Sequence, residues 1–274
     1  MDLSESDFNQ IITIITKCSG IMPTENLKDK IRDFVDKRLK QIQDNEPVVK
    51  FKFLLEQDKN ELAKLIDAVI HDETYFFSEE KHFSVLERKI FPQWLESCPN
   101  TMMRIWSAGC YTGEEAYSLA ILAQACQIIP IITASDISTA ALNICSTGNY
   151  SLDSKRYDDG AIFHNLLMPF LTENKTFSMS GEIRSLVHTK QINFVESDNY
   201  DLPKQQHIIF LRNVLTHFSK ELSIEILKNI AENCLADGGC LFLSQKEAIS
   251  LLAEIQQTCL KKRLFGETIY FSKQ

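Results

Sequence analysis

Arg104-Ile105-Trp106-Ser107-Ala108-Gly109-Cys110-Tyr111-Thr112-Gly113-Glu114-Glu115-Ala116-Tyr117-Ser118 reads as a short buried strand, a tight glycine turn, and a helix opened by two carboxylates. Downstream, Ile131-Ile132-Thr133-Ala134-Ser135-Asp136 reads as a second strand that ends on an acid. Strand, glycine loop, helix, strand and terminal acid together form the first half of a nucleotide-type cradle. The glycines let the backbone approach a ligand, and the acid can accept both hydroxyls of a ribose.

The details argue against a dinucleotide. Gly109 and Gly113 do not make the Gly-x-Gly-x-x-Gly spacing, and Glu114 and Glu115 stand where a pyrophosphate needs backbone N–H groups alone. Carboxylates at that helix start suit a ligand with positive charge. S-adenosyl-L-methionine, which carries a sulfonium and an ammonium, fits the pattern.

The rest of the chain is consistent with a globular enzyme. Its 274 residues are 44% hydrophobic and 24% charged, enough to bury a full core. The net charge of −8 repels phosphate backbones and disfavours a nucleic-acid partner. The first seven residues are acidic without an apolar signal core, and the greasiest stretch, 121–134, is interrupted by Gln124, Gln127 and Pro130. A cytoplasmic chain with no membrane-embedded segment is expected. None of the eight cysteines forms a Cys-x-x-Cys pair, so buried reduced thiols are expected. No His/Asp/Glu group has metal-ligand spacing, and no Gly-x-Ser-x-Gly or Cys–His arrangement suggests a nucleophilic enzyme.

Three regions follow from periodicity. Residues 1–72 read as an all-α N-terminal domain, with Phe8, Ile11, Ile12 and Ile15 on one helix that stops at Gly20. A second helix from Thr24 buries Leu27, Ile31, Phe34, Val35, Leu39 and Ile42, and a third spans Lys59 to Ile70. The second helix carries Lys28, Lys30, Arg32, Lys37, Arg38 and Lys40. This basic face is either solvated beside Asp29, Asp33 and Asp36 or a docking surface for an acidic partner. Residues 73–103 form a linker and junction, in which the aromatic cluster Tyr75-Phe76-Phe77 comes just before a helix around His82 to Ile90. From 104 to 274 strands and helices alternate, which implies a parallel sheet with crossover helices: a Rossmann-like α/β domain. Strands are expected at 104–108, 131–135, 192–195, 207–211, 239–244 and 268–272, the last pair forming a reversed edge. Helices are expected near 113–127, 138–147, 219–236 and 245–258. The alternation lapses at about 150–191, an insertion with modest hairpin character at 176–183.

These residues resemble a known family, the CheR-type chemoreceptor glutamate methyltransferases of bacterial chemotaxis, from about residue 8 to 247. The likeness rests on four stretches: Thr74-x-Phe76-Phe77 with Phe83, the Trp106 to Ser118 motif, Asp136-Ile137 with Gly148-x-Tyr150, and Arg212-Asn213-Val214 with Phe218. It implies an S-adenosylmethionine-dependent methyltransferase sheet behind a small helical domain, and transfer of the methyl group to receptor glutamates. Carried over by position, Asp72, Thr74 and Ser78 stand at the cofactor's amino-acid end and Gly109 in its loop. A glutamate of the Glu114-Glu115 pair faces the pocket, Asp136 holds the ribose, and Asp198 and Asn199 lie by the adenine. Arg212, Asn213, His217 and Ser78 line the methyl-transfer face. The implied partner is the cytoplasmic helices of chemoreceptors, docked through Lys30, Arg32, Lys37 and Arg38.

The chain departs from the family signature in four places. The signature asparagine is Asp72, its arginine is Ser78, its tyrosine is His217, and a His-Ser-Glu pattern is Gln245-Lys246-Glu247. These departures motivate an alternative of another class, a cofactor-binding regulatory protein with weak or no methyltransferase activity. A methyltransferase for small molecules or nucleic acids is a third reading that the fold alone permits.

Overall fold

Four amphipathic helices open the chain, the first two each started by a residue whose hydroxyl satisfies an orphan N–H group of the first turn. The computed structural model describes residues 3–69, 74–156, 160–196 and 202–274, without the side chains of residues 59 and 69. Helix α1 (Glu5–Ser19) starts at Ser4, whose hydroxyl accepts the Asp7 N–H, and α2 (Glu25–Leu39) starts at Thr24, which accepts from Leu27. Helices α3 (Pro47–Gln57) and α4 (Lys59–Val69) complete the group. Their inward residues, among them Phe8, Ile11, Ile31, Val35, Phe51 and Leu65, form a hydrophobic core of their own. The sequence reading misses α3. Pro47 supplies its first turn, but Val49 and Phe53 lie exposed, which blurs its apolar stripe.

Helix α5 (Glu80–Val85), a π-helical turn at Leu86–Ile90 and α6 (Phe91–Ser97) lead into the sheet. Strand β1 (Met102–Ala108), α7 (Glu114–Ala125), β2 (Ile129–Asp136) and α8 (Thr139–Thr147) make the expected strand–helix alternation. The insertion follows. Strand β3 (Asn149–Ser151) and β4 (Thr176–Ser178) pair antiparallel around the short helix α9 (His164–Leu167). Thr176 thus pairs with Ser151 across the insertion, and a tight local turn brings the Thr172 N–H to the Thr176 carbonyl at 2.8 Å. After α10 (Gly181–Ser185), strand β5 (Val187–Gln191) rejoins the main sheet beside β2. The third strand therefore lies at 187–191, not 192–195, and the insertion ends earlier than expected.

Strand β6 (Gln206–Phe210), α11 (Lys220–Asn229) and a π-helical turn at Ile230–Cys234 precede β7 (Leu235–Phe242). Asp237-Gly238-Gly239 is an irregularity inside β7, where the register against β6 shifts, and not a turn ahead of it. Helices α12 (Gln245–Ser250) and α13 (Leu252–Ile255) are two short pieces where one helix was expected. The hairpin of β8 (Leu260–Phe265) and β9 (Thr268–Lys273) closes the chain. The sheet order is β5-β2-β1-β6-β7-β9-β8, with β9 inserted antiparallel between β7 and β8. This is a Rossmann-like methyltransferase sheet with the reversed edge that the sequence suggested.

Both faces of the sheet are covered, and period-2 alternation sorts its residues between them. Ile105, Ile208 and Phe242 face one apolar cluster, with Phe76, Phe77 and Tyr117. Trp106, Ile209 and Leu241 face the other, with Leu227 and Phe271. Among the described residues no helix is long and apolar enough to cross a membrane.

Candidate active site

The carboxyl ends of β1, β2 and β6 open into one cleft of about 960 Å³, its mouth included. That position follows from topology. The chain leaves β1 for one side and β6 for the other, so the loops part there and leave a crevice.

The floor is the turn after β1. Gly109 and Cys110 both donate their N–H groups to the Ser135 carbonyl, at 2.7 and 2.8 Å, which stitches the turn to the end of β2. Gly109 has φ +79°, and a Cβ there would collide with Val214 Cγ2. Only glycine leaves the floor this low. Asp136 stands at the wall. Its Oδ2 accepts the Tyr111 N–H at 2.8 Å and its Oδ1 the Ser138 N–H at 2.9 Å, so two backbone groups fix the carboxylate over the crevice.

The two glutamates of the motif part company. Glu115 lines the cleft, taking the Ser107 hydroxyl at 2.7 Å and Arg212 Nη1 at 3.1 Å. Burial pushes its carboxyl up from the ordinary range, while Arg212 and Ser107 pull the other way. Glu114 is not among the cleft-lining residues. Its two oxygens accept the Thr112 hydroxyl at 2.6 Å and the Ser154 hydroxyl at 2.8 Å, which ties the helix start to the insertion. Of the pair, the structure brings only Glu115 to the cleft.

Arg212 follows β6 and is almost fully buried. Beyond Glu115, its Nη2 lies 3.4 Å from the Ser78 hydroxyl and 3.5 Å from Glu79 Oε2. Its Nε–H is buried and has no hydrogen-bond acceptor among the described residues. Ser78 and Thr74 come from the junction, where Phe77 and Glu79 adopt φ of 59° and 53°. Phe77 holds that strained loop down by donating its N–H to Ser118 Oγ at 2.8 Å, with its ring buried among aromatics. Asn213 and His217 also line the cleft. Asp72, Asp198 and Asn199 lie outside the described residues.

Glu247 was read only as part of a departed pattern. It is buried and accepts the N–H groups of Asn213 and Leu215 at 2.9 and 2.8 Å, besides capping α12 through Ser244. Ile192, Asn193 and Phe194 line the cleft as the loop after β5, and Ser19 and Ile21 reach it from the end of α1. The apolar run 192–195, read as a strand, was the available signal for the loop. Nothing in the sequence marked Ser19 or Ile21.

Residues 72–264 match the S-adenosylmethionine binding domain of the CheR methyltransferases. The chain belongs to that family. A chemotaxis protein methyltransferase Cher2 of Pseudomonas putida is 29% identical to this CheR family member, covering 94% of the chain and 95% of that protein. The chemotaxis protein methyltransferase of Borreliella burgdorferi is 27% identical over 91% of the chain and 90% of its own length. That of Salmonella typhimurium is 28% identical over 98% and 90%. The family's cofactor is S-adenosylmethionine, and the cleft's chemistry suits it. A low glycine floor admits a nucleoside, a fixed carboxylate ends β2, and a second carboxylate faces the cavity from α7, where an ammonium or sulfonium gains from it.

Proposed function

We propose that this chain transfers the methyl group of S-adenosylmethionine to glutamate side chains of bacterial chemoreceptors. Bound in the cleft, that cofactor supplies a sulfonium-activated methyl group. Asp136 accepts the ribose hydroxyls, Gly109 leaves room beneath them, and Thr74 and Glu115 hold the charged amino-acid end. Ser78, Asn213, His217 and Arg212 border the face from which the acceptor approaches.

A glutamate carboxylate is already an anion at neutral pH, so no strong base is needed. What the chain contributes is alignment and exclusion of water, which for oriented reactants is worth about 7–11 kcal/mol. The observation that carries the choice of acceptor is Arg212. Among the described residues it is the one arginine or lysine that lines the cleft, and a guanidinium there attracts an incoming carboxylate. Two basic residues of the neighbouring junction are engaged at the surface instead: Lys81 lies 3.5 Å from Glu267, and Arg88 3.6 Å from Glu87. Arg212 therefore takes the part that the arginine signature assigns to the position of Ser78.

Residues 1–72 then serve as a docking domain for the receptors' cytoplasmic helices, 73–103 as the junction and 104–274 as the transfer domain, in the cytoplasm, with the insertion aiding attachment. Within the basic face, Arg32 is engaged by Glu5 at 2.8 Å and stacks over Phe8, and Arg38 forks onto buried Glu61. Lys37 and Lys40 are exposed and Lys30 is half-buried, which leaves these lysines as the docking charges. The test is incubation with methyl-tritiated S-adenosylmethionine and receptor-bearing membranes. Base-labile label on a receptor-sized band supports the proposal. Tight cofactor binding with background transfer would favour the regulatory reading instead.

A further inference from the structure

We propose that Glu79 and His82 are positioning residues for methyl transfer, which hold the Arg212 guanidinium in the plane that meets the acceptor carboxylate. The inference rests on the cleft being a methyl-transfer site. Neither residue is among those that line the cleft, so both act through Arg212.

Arg212 is gripped at both ends of its fork. Glu115 Oε2 lies 3.1 Å from Nη1, and Glu79 Oε2 lies 3.5 Å from Nη2. With Glu115 alone the guanidinium would be free to swing about that contact. The Ser78 hydroxyl, 3.4 Å from Nη2, is neutral and a weaker hold than a carboxylate. A charge at the second end fixes the plane. The Phe210 ring, its centroid 5.7 Å from Arg212 Cζ, backs the same group.

Glu79 is held in its turn from behind. His82 Nδ1 lies 3.2 Å from the same Oε2, and the His82 N–H donates to the Glu79 carbonyl at 2.9 Å. The head of α5 thus sets the spacing of the two side chains. The imidazole is buried, at 5% exposure, and stands edge-on to Phe210 and Phe242, with ring centroids 6.3 and 5.6 Å away. A proton on Nδ1 offsets part of the Glu79 charge, so the carboxylate steers Arg212 without cancelling its attraction for an incoming anion. The backbone points the same way. Glu79 adopts φ 53°, a left-handed conformation that side-chain-bearing residues disfavour, at the point where its carboxylate reaches Arg212. Strain of this kind collects where a precise geometry serves function.

Three variants of the full chain test this, with thermal unfolding confirming their fold. Glu79→Gln keeps the side chain's shape and removes its charge, His82→Ala removes the imidazole, and His82→Asn returns an N–H near the Nδ1 position. With receptor-bearing membranes and methyl-tritiated S-adenosylmethionine, Glu79→Gln and His82→Ala should each lower kcat about tenfold, with S-adenosylhomocysteine affinity held within about twofold. His82→Asn should recover part of the loss. A second readout needs no turnover: nuclear magnetic resonance of the arginine side chains should show slow rotation of the Arg212 guanidinium in wild type and faster rotation in Glu79→Gln. Wild-type kcat in both Glu79→Gln and His82→Ala, or unchanged rotation in Glu79→Gln, would overturn the inference. Equal losses of kcat and S-adenosylhomocysteine affinity would also overturn it, since the pair would then support the cofactor pocket. Wild-type protein that labels no receptor would overturn the proposed reaction, and the rotation measurement would still decide whether the pair fixes Arg212.

Discussion

Glu247 accepts the backbone N–H of Asn213 at 2.9 Å, and this bond joins the head of α12 to the turn that carries Arg212 into the cleft. Asn213 adopts φ +60°, a conformation that asparagine tolerates better than most residues and that still stores strain. The same carboxylate takes Leu215 at 2.8 Å and the Ser244 hydroxyl at 2.6 Å. Glu247→Ala leaves these donors buried and unsatisfied, with an expected loss of about 2–4 kcal/mol of stability. Glu247→Gln keeps part of the network and should lose less. Because the turn aims Arg212, both variants should lower kcat more than they raise KM for the cofactor. Thermal unfolding and steady-state kinetics check the two effects separately.

Arg212→Lys keeps a positive charge but loses the planar fork that meets Glu115, Ser78 and the acceptor together. We expect kcat/KM to fall about 10²-fold or more, with S-adenosylhomocysteine affinity changed far less. Equal losses in both would place Arg212 in cofactor binding rather than at the acceptor face.

On the basic face of α2, two neighbours should behave differently. Lys37→Glu touches an exposed side chain and should weaken receptor association without shifting Tm. Arg38→Ala strands the Glu61 carboxylate, whose side chain is 2% exposed, with Lys64 at 3.6 Å as its remaining cation among the described residues. A destabilisation of roughly 3 kcal/mol is expected, seen in urea unfolding.

Glu114 gives a pH signature. Burial raises its carboxyl above the unfolded value, opposed by the Thr112 and Ser154 hydroxyls. A raised acid binds its proton more tightly in the folded state. Its contribution to stability is therefore complete below the unfolded carboxylate pKa and is lost as pH rises through the folded value. Urea midpoints measured from pH 4 upward should fall across that window in wild type. Glu114→Gln should flatten this part of the curve, and an unchanged slope would assign the titration elsewhere.

The parts of this site that could be read from sequence are those where local pattern and tertiary role agree. Trp106 to Glu115 reads as strand, turn and helix because the alternation of β1, the glycines and the paired carboxylates all demand it. Asp136 is legible as an acid ending a buried run. The third strand is not, because Val187–Gln191 is an exposed, polar edge strand, while the apolar run after it serves the cleft instead of the sheet. Strand β8 hides behind Lys261, Lys262 and Arg263, charges that also guard a sheet edge against further pairing. The choice between Glu114 and Glu115 needed three dimensions. Both sit in the first turn of α7, and only the placement of Ser154 and Arg212 separates a tie to the insertion from a cleft carboxylate. Ser19 and Ile21 belong to another part of the chain, and no local pattern links them to the crevice.

The most direct test of the central claim is a calorimetric titration of S-adenosylhomocysteine into wild type and Asp136→Ala, with circular dichroism showing that the variant is folded. Wild type should bind one equivalent, and the variant should bind at least about tenfold more weakly, since hydrogen bonds to a charged group are worth about 1.5–3 kcal/mol. Equal affinity in the two proteins, or no binding by wild type, would contradict the assignment of this cleft.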